Sequence, residues 1–221
     1  MNAAPRFLPV VLLLFLGSGA AALIYEVVWL QLLQLVIGSS ALSLAVLLGT
    51  FMGGMCLGSL LLPRLVPASL HPLHVYAALE FGIAAAGLLV LVALPVVGHA
   101  YIALVGHGLP GVLLRGVVCL LCLLPPTVMM GATLPAIARW IEATPRGVSW
   151  LGFFYGGNTA GAVVGCLLAG FYLLRVHDTT TATFAAVALN LAVGALALLL
   201  ARFAPFAGES KAPAPADRSE E

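Results

Sequence analysis

The chain has 221 residues, 62% of them hydrophobic and 8% charged, with a formal net charge of +1 and a mean hydropathy of +1.15. A soluble domain of that size cannot hide so much apolar surface, and no basic run is present to meet the phosphates of a nucleic acid. The class left standing is an all-α polytopic membrane protein in direct contact with the lipid bilayer. Cys56, Cys119, Cys122 and Cys166 all lie in apolar runs and read as small buried hydrophobes rather than a disulfide framework.

The first apolar run covers 7–37 and exceeds the roughly 20 residues a bilayer core requires. Arg6, a hydrophobic stretch and then small residues from Gly17 to Ala22 imitate a cleavable leader, but the run continues to Ile37, so an uncleaved first span is expected. Glu26 sits well inside it, where a charge costs at least about 2.5 kcal/mol. Ser18, Gly19, Ala22 and Glu26 share one helical face, which lets a neighbouring helix come close to the acid. Two readings stand: a hydrogen-bonded helix lock, or a substrate or proton site.

Further spans are expected at 41–62, 73–97 (carrying Glu80), 112–137, 148–174 and 180–203, with 98–111 as a broken, interfacial connection. Residues 1–203 then form one six-span domain and 204–221 a polar, disordered tail. With the N-terminus inside, inner segments hold Arg6, Arg64, Arg139, Arg146, Arg202, Lys211 and Arg218, and outer segments only Arg115 and Arg175. That asymmetry places both termini in the cytoplasm. On this topology Glu26 and Arg115 both lie toward the outer side, within reach of an ion pair, while Arg64 and Arg139 are nearest to Glu80 in depth.

Glycine recurs every fourth residue: Gly49 and Gly53, and Gly54 and Gly58, in the second span; Gly152 and Gly156, then Gly157, Gly161 and Gly165, in the fifth. Such rows make flat faces for close helix contact. Gly53, Gly54, Gly58, Gly157, Gly161 and Gly165 are the expected packing positions, with the Asn158 amide placed to bond across. Phe51-Met52-Gly53-Gly54 is echoed by Phe154-Tyr155-Gly156-Gly157, and Gly19-Ala20 by Gly131-Ala132, which raises a repeat of three spans and three spans in inverted orientation.

Several motifs carry little. Gly106 to Gly111 matches a dinucleotide fingerprint by letter but follows no strand and holds Pro110. Cys119 and Cys122 have metal-ligand spacing with no second pair. His99, His107, His177 and Asp178 fall in outer segments, where solvated side chains are the simpler reading. Pro125, Pro126 and Pro135 are expected to kink the fourth span. No metal, cofactor or nucleic acid is expected.

Leu23-Ile24-Tyr25-Glu26-Val27-Val28-Trp29, the stretch from Phe51 to Leu61, Met130-Gly131-Ala132-Thr133-Leu134-Pro135 and the stretch from Tyr155 to Gly165 occur together in this order. That set resembles the membrane region of bacterial fused major-facilitator/spermidine-synthase-like proteins, over nearly all of 7–203. The resemblance implies a fold like half of a major facilitator transporter, set in the bacterial inner membrane. It also implies a cytoplasmic C-terminus, which agrees with the charge count, and a link to polyamines or related cations. The aminopropyltransferase-like domain that follows the membrane region in that family has no counterpart in these residues, so its enzymatic activity does not carry over. The expected function is movement of a small, polyamine-like cation, or docking of a soluble synthase-like partner at the membrane. Glu26, Tyr25, Glu80 and Asn158 are the candidate substrate residues, and a homodimer or second membrane subunit would complete the assembly. The rival expectation is a non-transporting scaffold.

Overall fold

The computed structural model describes residues 4–104, 109–142 and 147–204, with side chains described within 7–96, 114–140 and 150–204. It is an all-α polytopic membrane protein whose six long helices are each apolar enough to cross a bilayer, and the described residues contain no strand. We number them α1 (Ala4–Ile37), α2 (Ser40–Leu65), α3 (Pro72–Leu104), α4 (Leu109–Glu142), α5 (Gly147–Leu168) and α6 (Thr179–Ala201). Short connections make successive helices run in opposite directions. Between α1 and α2 the chain reverses at Gly38, whose φ of +81° is open to glycine at no steric cost, and Ser39 caps α2 by accepting from the Leu42 amide.

One expectation is corrected, and one expected span holds a local irregularity. The stretch from Gly98 is not a broken connection: α3 runs on to Leu104, because Gly98 and His99 weaken a helix without deleting a backbone donor. Leu109, Pro110 and Gly111 open α4, where a first-turn proline has no helical bond to lose; residues 105–108 lie outside the described residues, as do 205–221 of the expected tail. The fifth span is not one continuous α-helix either. After Leu168 it widens into a π-helical segment, Ala169–Leu173, before a last helical turn at Leu174–Val176. The wider turn puts Ala169 and Leu173, both buried, on one face toward the core.

The prolines inside α4 do not end it. The Thr127 hydroxyl beside Pro125 and Pro126 lies 3.0 Å from the Leu123 carbonyl, 2.9 Å from that of Leu124 and 3.4 Å from that of Thr50 on α2. Its single proton is shared among these carbonyls and ties α4 to α2, whereas the carbonyls that Pro125 and Pro126 leave without a helical donor are those of Leu121 and Cys122.

Glycines set the closest approaches. Gly157, Gly161 and Gly165 of α5 lie against Leu12, Leu16 and Ala20 of the parallel α1, and Gly19 of α1 against the backbone of Asn158. On the other side Gly54 and Gly58 of α2 lie against Thr127 and Val128 of α4, and Gly131 of α4 against Met55. A methyl group at most of these positions would overlap a neighbouring carbonyl. Gly49, Gly53, Gly152 and Gly156 face open space. The contacts are matched: Gly58 to Gly161 and Met55 to Asn158 are steps of 103 residues, and Leu16 to Val128 and Gly19 to Gly131 are steps of 112.

The buried side chains form two clusters stacked along the helices. One holds Tyr25, Val28, Trp29, Leu47, Phe51, Ile83, Leu94, Cys119 and Val187. The other holds Phe15, Leu73, Tyr76, Ala136, Trp140, Phe154 and Val193. Ser18, Glu80 and Asn190 are buried between them.

Candidate functional site

That intervening layer is built from three helices. Glu80 on α3 and Asn190 on α6 are 0% and 1% exposed, and the Asn190 amide donates from Nδ2 to Glu80 Oε2 at 2.5 Å. Tyr76, one turn before Glu80 on the same face of α3, and Ser18 of α1 bring their hydroxyls beside the carboxyl. Tyr76 Oη also donates to the Leu14 carbonyl at 3.4 Å. Glu80 Oε1 and Asn190 Oδ1 have no hydrogen-bond partner. The described side chains that interact with Glu80 are thus polar and neutral, although a carboxyl removed from water normally requires a compensating charge or donor.

The layer has a polar extension toward the first of the two clusters. Tyr25 and Trp29 of α1 stack with ring centroids 5.3 Å apart, and both are fully buried. The Tyr25 ring lies against Gly87, two turns beyond Glu80 on α3, in space that only a glycine leaves open. Tyr25 Oη and Trp29 Nε1, like the two atoms above, lack a partner. Glu80 Oε1, Asn190 Oδ1 and Tyr25 Oη thus lie unpaired where α1 and α6 meet α3, with Trp29 Nε1 on the side of Phe51 of α2.

The other sequence candidates are placed elsewhere. Glu26 is half-buried on α1. Arg115 donates through Nη1 to the Val36 carbonyl at 3.0 Å. Val36 lies ten residues, about 15 Å, beyond Glu26 along α1, so that bond does not bring the two charges together. Arg139, expected near Glu80, instead holds the Val66 and Leu62 carbonyls at 2.9 and 3.3 Å. Asn158 is half-buried at the α1–α5 crossing, against Gly19. Of the packing glycines, Gly54, Gly58, Gly157, Gly161 and Gly165 sit at crossings, whereas Gly53 points outward.

Sequence reasoning missed Asn190 and Tyr76, and assigned Ser18 to Glu26 rather than to Glu80. A lone amide in the middle of an otherwise apolar span was the available signal for Asn190. His99 and His107 lie outside the described side chains. Exposed His177 meets the Tyr172 ring edge-on at 5.6 Å, and Asp178 caps α6 by accepting from the Thr181 amide at 2.7 Å. The Thr181 side chain and that amide together hold the Asp178 carboxyl below the usual carboxylate range. Among the described residues no three His, Cys, Asp or Glu side chains gather as a metal site.

No protein-family model matches the chain, and no curated protein or solved structure matches it.

Proposed function

We propose that this chain is a multi-pass module of the bacterial inner membrane, with both termini cytoplasmic, that moves a small polyamine-like cation through a site centred on Glu80. The observation that carries this reading is a carboxyl buried at mid-depth where three helices meet, with only neutral protein groups beside it. An ammonium group could supply the missing charge, with Tyr25 Oη and Trp29 Nε1 on the same route. Glu26 on α1 and Asn158 on α5 lie outside its centre. The matched steps of 103 and 112 residues support two related three-helix halves, the arrangement in which transporters bind substrate between repeats. A homodimer or a second membrane subunit would complete a twelve-span assembly. The chain itself is read as non-enzymatic.

The test is uptake of labelled spermidine into proteoliposomes. Glu80→Gln should abolish uptake with protein amount and melting temperature unchanged, and Glu26→Gln should reduce it less. Equal uptake by Glu80→Gln and the parent would overturn the reading.

One feature favours the rival scaffold. The Glu80–Asn190 bond joins α3 to α6 and can serve as a helix lock alone. A module that transports nothing yet retains a soluble synthase-like protein on mild purification would establish that alternative.

A further inference from the structure

The bonding pattern at Glu80 and Asn190 points to a specific ligand. A carboxylate only accepts hydrogen bonds, while a primary amide offers two donors and one accepting oxygen. One amide donor meets Glu80 Oε2, which leaves Glu80 Oε1 and Asn190 Oδ1, both acceptors, unpaired at the same buried crossing. Turning the amide over gives no escape. It would set Oδ1 against Oε2 at 2.5 Å, a contact between two acceptors that only an intervening hydrogen supports.

We propose that Glu80 and Asn190 form a proton-binding site, in which a proton on Glu80 Oε1 donates to Asn190 Oδ1 and closes a two-bond acid–amide ring across the α3–α6 interface. One hydrogen then satisfies both orphaned atoms. The groups that interact with the carboxyl are Ser18 and Tyr25 from α1, Tyr76 from α3 itself and Asn190 from α6. From α4 the nearby contact with α3 is apolar, Met129 against Gly82. No described lysine, arginine or histidine offers a positive charge in place of the proton. Loss of the proton leaves Glu80 Oε1 and Asn190 Oδ1 as two buried acceptors with only the Ser18 and Tyr76 hydroxyls beside the carboxylate, which loosens α3 from α6 or admits a cation between them. The ring is thus a proton-dependent latch. His71 Nε2 pins the start of α3 to the Ala204 carbonyl at 2.9 Å, so the latch opens toward the far end of the pair.

This inference concerns the same site as the transport reading, but its test does not depend on transport: either can fail while the other stands. The full chain in phosphatidylcholine–phosphatidylglycerol bilayers is measured by infrared spectroscopy at pH 7, in the region of the protonated carboxylic acid. The parent should show a band that is absent in Glu80→Gln and kept in Glu26→Gln. Asn190→Leu should move it to higher frequency as the bond to the amide is lost. If Glu80→Gln does not fold, carbon-13 glutamate labelling of Glu26→Gln should still shift the band. A parent spectrum without it, or one whose band disappears on adding sodium chloride at constant pH, would overturn the proton assignment.

Discussion

The glycine crossings and the Glu80 layer hold helices together by opposite means. At the crossings of α1 with α5 and α2 with α4, backbone lies on backbone, and the contact works because side chains are missing. Between α3 and α6, beside a close contact of Phe81 with Gly194, two polar side chains are bonded to each other. The first kind has no freedom to adjust, since a carbonyl cannot rotate away from an intruding methyl. The second can exchange partners, take up a proton or receive a ligand. The rigid contacts belong to the frame of this molecule, and the proposed proton and cation site belongs to the adjustable one.

Substitutions can break this contrast at either end. The largest effect should follow Gly161→Val or Gly58→Val, each forcing a branched side chain onto a carbonyl, at about 3 kcal/mol or more. Gly53→Ala and Gly156→Ala, facing open space, should stay within about 0.5 kcal/mol of the parent. Thermal unfolding in detergent reads both. Next comes Glu80→Leu, which strands the Asn190 amide and should cost about 1–3 kcal/mol. The double variant with Asn190→Leu should recover much of that loss, because removing both partners leaves no orphan. A double variant no better than the single one would mean that Glu80 acts through groups other than Asn190. The smallest effect should come from Asp178→Ala, which removes the α6 cap. Because the folded carboxyl titrates below its ordinary value, its contribution is present above the usual carboxylate range and fades as pH falls through the lowered value. Parent and variant should therefore melt alike in strong acid and diverge toward neutrality.

The six spans were legible because hydropathy is a local property that a window of about 20 residues captures. The glycine rows were legible as rows but not as faces. Gly53 and Gly54 are neighbours pointing about 100° apart, and spacing alone cannot decide which one meets α4. Glu80 was visible as a buried acid, yet its partner stands on a different helix more than a hundred residues away, and depth suggested arginines instead. One of them, Arg139, bonds instead to backbone carbonyls, as does Arg115, which was expected at Glu26, and no side-chain pattern reveals such bonds. The π-helical segment left no mark that a residue count detects, because Ala169 to Leu173 reads like any other helical run.

Helix α4 carries a guanidinium near each end, and each one seizes the closing turn of a different helix. Arg115 takes the Val36 carbonyl as α1 finishes, and Arg139 takes those of Leu62 and Val66 as α2 finishes. Three segments are thereby braced into a single girder, with tension on the tip of α1 transmitted through α4 to the tip of α2. Any sliding of α1 past α2 must tear one of those clasps before it can travel far.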